Sequence, residues 1–212
     1  MNLKLPLRVV HVVHRLDPGG LENLVMQMVL GADPAVVEPS VLCLSGIGEL
    51  GQMYRDRVRI TAVPAEPGYD RRAMAEMRRQ IRRIRPAVVH SHDERPHLFA
   101  TAGALSAGLP LPVRLNTVHL VYTDTSKKAI FRRWTLARAT DVMVAVGERV
   151  RRNLIELDHI APAKVRTILN GTALDVPRLE RQQARRALGL ADDALVVGAV
   201  GRLAPVKDHR TL

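Results

Sequence analysis

Short apolar runs alternate along the chain with longer segments of helical periodicity, and this alternation constrains the fold most. The run 142–146 is apolar at every position, which is typical of a parallel strand covered on both faces. Strands are predicted at 8–14, 40–45, 58–63, 87–91, 112–117, 141–146, 164–169 and 194–201. Helices are predicted at 20–31, 70–85, 96–107, 126–139, 148–157 and 180–188. The pattern predicts an α/β fold with a doubly wound, Rossmann-like parallel sheet.

The sequence also indicates how this sheet ends. Pro177 and a polar segment follow the seventh predicted strand, and a further apolar strand follows at 194–201. We therefore predict one complete domain at 1–172, a linker at 173–193, and the first strand of a second domain at 194–212. A lone strand buries too little surface to fold by itself.

Charge and composition limit the classes of partner. The net charge is +11, from 32 Lys and Arg against 21 Asp and Glu, which favours anionic partners such as phosphates, lipids or nucleic acid. Nucleic acid is disfavoured, since recognition motifs are absent and 3% aromatic residues leave little for base stacking. The one cysteine, Cys43, excludes an internal disulfide framework and is expected to be a buried thiol. No apolar stretch reaches the ~20 residues of a membrane span, and no signal peptide is expected.

The helix predicted from Asp70 to Arg85 is strongly basic. Apolar residues recur on one side at three- and four-residue steps, and arginines fill most of the other positions. A solvated basic face is one interpretation. The other is docking on an anionic membrane surface, at ~1 kcal/mol per suitably placed cation.

The turn after the first strand is a candidate ligand site. In an open α/β sheet, ligands bind at the carboxyl ends of strands, and a helix N-terminus favours anions. Gly19 and Gly20 would let a ligand approach the backbone, and Glu22 is a candidate for acceptor contact or for ordering the loop. A plain strand-to-helix turn is the alternative. The turn lacks the full Gly-x-Gly-x-x-Gly spacing of dinucleotide sites.

Histidines mark the ends of two further strands. His90 and His92 end the fourth predicted strand on one face, and His119 follows the fifth. Two histidines could bind a metal ion, but zinc usually takes three protein ligands and no third is obvious. His92 is a candidate for acceptor contact or loop ordering, and loop ordering is the preferred role of His90. His119 could bond a sugar or phosphate, or simply be a satisfied loop histidine.

Two basic residues lie shortly after the last predicted strand. Arg202 and Lys207 follow it, and such a pair suits a leaving diphosphate, although an exposed basic turn is the alternative. A nicotinamide-dependent oxidoreductase is disfavoured, because residues 45–48 offer no acidic residue for the ribose at the end of the second strand.

Taken in order, five segments resemble the retaining GT-B glycosyltransferases of family 4, and especially sugar transferases of exopolysaccharide and PEP-CTERM systems. The similar segments are VHVVHRLDPGGLEN from Val10, PAVVHSH from Pro86, DVMVAVGE from Asp141, VRTILNGT from Val165 and VGAVGRLAPVKD from Val197. The third has Gly147 where the family usually has serine. The segments are spread over essentially the whole chain.

The resemblance implies transfer of a hexose-type sugar from a nucleotide-diphosphate sugar to a sugar or lipid-linked acceptor, in polysaccharide or glycolipid biosynthesis. It implies that His119 lies by the transferred sugar, that Gly19 and Gly20 approach the donor diphosphate or the acceptor, and that Arg202 and Lys207 hold the diphosphate. It implies no metal or other cofactor, and we expect a cytoplasmic protein, peripheral at the inner face of the plasma membrane.

This sequence departs from the family in a second and larger respect. The rest of the second domain, with its paired-glutamate motif, is not in these 212 residues. A cleft needs both walls, so the chain alone is expected to be inactive. The alternatives are a non-catalytic acceptor- or membrane-binding domain, or one half of a split transferase.

Overall fold

The computed structural model describes residues 5–171, 178–201, 203 and 208–211. Its strands are β1 (Leu7–Val13), β2 (Val37–Cys43), β3 (Arg59–Ala62), β4 (Val88–His92), β5 (Val113–Val118), β6 (Val142–Ala145) and β7 (Val165–Thr167). Its α-helices are α1 (Gly20–Leu30), α2 (Glu49–Tyr54), α3 (Arg71–Ile84), α4 (Glu94–Ser106), α5 (Lys127–Arg138), α6 (Glu148–Arg152) and α7 (Arg181–Ala187). A π-helical turn at Asn153–Leu157 continues α6. The predicted Rossmann-like α/β class is confirmed.

The seven strands form one parallel sheet in the order β3-β2-β1-β4-β5-β6-β7. The chain builds outward from β1 to β3 and then returns to place β4 on the other side of β1. The direction of winding therefore reverses between β1 and β4. In open parallel sheets, the crevice at the carboxyl ends of the strands beside such a reversal is the usual ligand site.

Both faces of the sheet are covered, which explains why a strand such as β6 is apolar at every position. On one face, Val10 and Val12 of β1 pack in a cluster with Met77 of α3 and Phe99 of α4. On the other, Val13 packs with α1 in a second cluster that includes the single cysteine. Cys43 is buried, as expected, and burial raises the pKa of its thiol to about 12. It is therefore a protonated structural thiol.

The basic helix forms as predicted. The Asp70 side chain caps α3 by accepting hydrogen bonds from the backbone N–H groups of Arg72 and Ala73. Arg85 ends it in the left-handed conformation, with φ of 50°, and Pro86 follows. The apolar side of α3 is buried against the sheet. The exposed arginines of its other side are Arg71, Arg72, Arg78, Arg79, Arg82 and Arg83.

Two elements differ from prediction. The sequence did not predict α2, whose six residues are too few to show a helical period. The strand predicted at 194–201 is wrong, because these residues join no sheet among the described residues. Leu195 is 97% exposed, and Val200 is fully exposed. A parallel strand needs a hydrogen-bonded neighbour, and no strand in the described part of the chain pairs with this segment.

The chain divides into two compact units, Met1–Thr172 and Ala173–Leu212. The first holds the sheet, and the second contains α7. The predicted limits of the linker and of a second domain stay a prediction. No helix in the described part of the chain is long and apolar enough to cross a membrane.

Candidate functional site at the carboxyl edge of the sheet

Four histidines gather beside the reversal between β1 and β4. His11 of β1 is in register with His90 of β4, so the two lie side by side on one face of the sheet. His92 lies two residues further along β4 on that same face, and His119 follows β5. The sequence analysis missed His11, because its place beside His90 depends on the pairing of two strands that are not consecutive.

Three of these histidines form a hydrogen-bonded chain. His11 Nδ1 lies 3.2 Å from His92 Nε2, and His92 Nδ1 lies 3.1 Å from His119 Nε2. His11 and His92 are buried, whereas His119 is partly exposed at the edge. This row of hydrogen-bonded rings therefore leads from the interior of the sheet to the surface at which ligands would bind.

Burial keeps these rings neutral. It lowers the pKa of His11 to about 4 and that of His119 to about 4. Burial, followed by the neighbouring histidines, holds the pKa of His90 and His92 well below their usual range. At neutral pH, each ring therefore has one N–H donor and one nitrogen lone pair.

The two hydrogen bonds couple the tautomers of these three histidines. If His11 donates to His92, then His92 donates to His119, and His119 is left with its proton on Nδ1. In the opposite register, His119 donates inward, and its Nδ1 is an acceptor. The state of the buried rings therefore decides whether His119 offers a donor or an acceptor from its second nitrogen.

His90 has a separate partner. Its Nε2 lies 2.7 Å from the Thr117 hydroxyl of β5, which fixes the ring between the two strands. One ring nitrogen from each of His11, His90 and His92 lies within 4.8 Å of the others, so a third potential metal ligand stands beside the pair that ends β4.

Asp93 fixes the backbone at His119. It follows β4 directly, and its Oδ1 accepts a hydrogen bond of 2.8 Å from the His119 backbone N–H. Burial raises the pKa of the Asp93 carboxyl to about 6, the His119 N–H bond opposes this, and Glu22 adds to it. The Glu22 carboxylate, in the first turn of α1, therefore acts electrostatically on this edge of the sheet. The sequence analysis did not identify Asp93.

The glycine turn after β1 opens the N-terminus of α1. Gly19 is the cap residue and has no side-chain capping bond, and Gly20 is exposed, with open space where a Cβ would stand. A Cβ on Gly19 would lie 2.2 Å from the Glu22 carboxylate, so Glu22 folds back against the turn. The first-turn N–H groups of α1 are thus left without a side-chain acceptor, as an anion site requires.

A glycine in the neighbouring loop packs against this turn. Gly48, before α2, has φ of 80°, and a Cβ there would lie 2.3 Å from the backbone oxygen of Leu16. The Leu16 N–H donates to Ile47 O at 3.3 Å, which ties the two loops together. Gly48 is therefore required both for its conformation and for the close approach.

The predicted site residues are thus only partly brought together. His92 and His119 are in contact, and Glu22 lies against Gly19. Arg202 and Lys207 lie outside the described residues, so their role at a diphosphate stays a prediction.

The order of the strands and the winding reversal beside the polar edge define a Rossmann-like α/β domain. Residues 18–176 match the family model for Glycosyltransferase Family 4. The chain belongs to glycosyltransferase family 4, and its domain has the GT-B type of fold.

Relatives and solved structures agree with this assignment. EpsF of Bacillus subtilis (strain 168), which is named as a glycosyltransferase, is 27% identical over 229 residues, covering 97% of this chain and 56% of EpsF. An Escherichia coli UDP-Gal:alpha-D-GlcNAc-diphosphoundecaprenol alpha-1,3-galactosyltransferase is 24% identical over 148 residues, covering 66% of this chain and 38% of that enzyme. The crystal structure of Anabaena Alr3699/HepE in complex with UDP superposes with a TM-score of 0.79 at 14% identity, covering 96% of this chain and 55% of HepE. The chain thus spans about half the length of EpsF and HepE, and less of the galactosyltransferase.

Proposed function

We propose that this chain forms the acceptor-side wall of a retaining glycosyltransferase that transfers a hexose-type sugar from a nucleotide-diphosphate sugar. The observation that carries the proposal is the position of His119. Its ring is bonded to His92 and its backbone to Asp93, so a polar side chain is fixed at the carboxyl edge beside the winding reversal. A positioned imidazole can bond a sugar hydroxyl without reorganisation.

The names of the relatives support the choice of substrates. HepE has also been crystallised with UDP-glucose, and the Escherichia coli relative is named for transfer of galactose from UDP to a diphosphoundecaprenol-linked sugar. We therefore propose a UDP-hexose donor and a lipid-linked sugar acceptor, in polysaccharide or glycolipid biosynthesis. The exposed arginines of α3 support a cytoplasmic protein working at the inner face of the plasma membrane.

Each part of the edge has a proposed task. His119 bonds the transferred sugar, and the N-terminus of α1 at Gly19 and Gly20 faces an anionic group of the donor or acceptor. Arg202 and Lys207 stabilise the charge of the departing diphosphate. With two cations in that task, the transfer step itself needs no metal ion, in keeping with the family resemblance.

The exposed arginines of α3 favour a second candidate, a non-catalytic domain that binds acceptor or membrane, or one half of a split transferase. In that case it would bind acceptor or membrane without transferring sugar.

A transfer assay distinguishes the two. The chain, alone and joined to a donor-binding domain such as that of HepE, is incubated with ¹³C-labelled UDP-hexoses and a lipid-diphosphate sugar acceptor. The proposal predicts that the joined protein forms a glycosidic bond with the anomeric configuration of the donor, read by NMR. Acceptor binding without transfer, by a joined protein that still binds UDP-glucose, would favour the second candidate.

A further inference from the structure

We propose that His11, His90 and His92 form a binding site for a divalent metal ion of the zinc class, set behind His119. This site is distinct from the proposed binding site of the donor diphosphate, for which we propose no metal. It stands on the geometry of the three rings and does not depend on the proposed transfer reaction.

The spacing of the rings suits such an ion. Zinc binds imidazole nitrogen at about 2.0–2.1 Å in tetrahedral sites, which puts two ligand nitrogens about 3.4 Å apart. His11 Nδ1 and His92 Nε2 are already 3.2 Å apart, and one ring nitrogen from each of the three histidines lies within 4.8 Å of the others. An ion would take the place of the proton between His11 and His92, and a small shift of the His90 ring that keeps its bond to Thr117 would complete the set.

Two of the three outer nitrogens are already partnered, as in natural metal sites. A ligating histidine generally uses its second ring nitrogen to bond an oxygen or another polar group, and this partner fixes the ring. His90 bonds the Thr117 hydroxyl through Nε2 at 2.7 Å, which leaves Nδ1 for an ion. His92 bonds His119 through Nδ1 at 3.1 Å, which leaves Nε2.

The chemistry of the ligands selects the ion. Three neutral imidazoles suit zinc, cobalt, nickel and copper, whereas magnesium and calcium prefer oxygen ligands. Zinc accepts three protein ligands and keeps a fourth position for water.

Occupancy would also set the tautomer of His119. An ion on His92 Nε2 requires the proton of that ring on Nδ1, from which it donates to His119 Nε2. His119 then keeps its own proton on Nδ1 and presents a donor. This consequence, unlike the site itself, rests on the proposed function of His119.

Metal binding is measured on the full chain, prepared without a polyhistidine tag and stripped with a chelator. Cobalt is titrated by its visible absorption, and zinc by equilibrium dialysis and competition. We expect one ion per chain, and affinity at least about tenfold weaker in His11→Gln. Thr117→Val keeps all three ligands and removes only the partner of His90, so we expect affinity about 10–100-fold weaker.

His159→Asn is the control, since it removes an exposed histidine outside the cluster and should leave affinity unchanged. Absence of stoichiometric binding to the wild type, or equal affinity in the wild type and His11→Gln, would overturn the proposal. If circular dichroism shows that His11→Gln is unfolded, Thr117→Val decides, and unchanged affinity there overturns it. No sugar is present, so a failed transfer assay would not bear on this result.

Discussion

Asp93 carries the clearest local strain in the site. Its backbone has φ of 65° and ψ of −177°, a region that residues other than glycine rarely occupy. Its N–H donates to Thr117 O at 2.8 Å, and its carboxylate accepts from the His119 N–H. The residue is thus held from both sides, and the structure keeps a strained aspartate where glycine would be easier.

We expect Asp93→Gly to be more stable than Asp93→Ala by about 1–2 kcal/mol, because both lose the carboxylate and only glycine relieves the backbone. Urea unfolding followed by circular dichroism measures the difference. In the transfer assay both variants should be impaired alike, since both release His119. Equal stability of the two variants would contradict the assigned strain.

Arg133 and Asp158 form a buried ion pair in the first unit. The two side chains are 4% and 0% exposed, with Arg133 Nε 2.8 Å from Asp158 Oδ1. Burial raises the pKa of Asp158, and its bond to Arg133 only partly opposes this. The ionised form of Asp158 therefore depends on the Arg133 guanidinium beside it.

Arg133→Met should lower the free energy of unfolding by about 3–5 kcal/mol, because it leaves a buried charge without its partner. Arg132→Met is the matched control. That neighbour forms a partly exposed pair with Glu94, and its loss should cost at most about 1 kcal/mol. Denaturant midpoints measure both, and equal losses would show that burial is not what makes the pair important.

At the scale of elements, α3 shows how far a sequence can predict its own structure. Its period, the Asp70 cap and the stop at Arg85 and Pro86 are all local signals, and the helix begins and ends almost where they indicate. The apolar segment 194–201 was predicted as a strand and does not form one, because a strand depends on a neighbour that its own residues do not specify. The position of His11 was missed for the same reason.

The exposed arginines of α3 carry the proposed attraction to anionic lipid. Reversing Arg78 and Arg82 to glutamate should weaken binding to anionic vesicles at least about 30-fold, since each lost cation removes ~1 kcal/mol. Co-sedimentation with vesicles of anionic and of neutral lipid measures this. Arg149→Glu with Arg152→Glu makes the same charge change on α6. An equal loss in the two double variants would reject α3 as the docking surface.

Across the whole molecule, stability should fall in acid because several histidines are buried as neutral rings. His97, bonded to the Thr140 hydroxyl at 2.7 Å, is the simplest case, and burial lowers its pKa to about 3. The unfolded chain, with a histidine pKa near 6.5, binds this proton first. Stability from His97 is therefore complete above about pH 6.5 and is lost as the pH falls toward 3.

Unfolding free energies at pH 6 and pH 4 test this. Each such histidine should contribute about 1.4 kcal/mol per pH unit within that range, so the slope in His97→Asn should be shallower by about that amount. A slope unchanged in His97→Asn would mean that this ring is not kept neutral by burial.

At this largest scale, the sequence was sufficient for the class of fold, and it singled out His92 and His119, which the structure brings into contact. It could not provide the link from His11 through His92 to His119, or the part played by Asp93, because these depend on register and on backbone geometry. The central claim is that this edge, with His119 at its surface, meets the sugar substrates.

Chemical-shift mapping on the labelled chain, titrated with UDP-glucose and a lipid-diphosphate sugar, tests that claim most directly. The account predicts saturable shifts at the His119 ring, the Gly20 amide and the Asp93 amide, even if binding to this chain alone is weak. It predicts no shift at Arg85 or Gly108, which precede β4 and β5 at the opposite edge of the sheet. Saturable shifts confined to that opposite edge, with His119 unchanged, would contradict it.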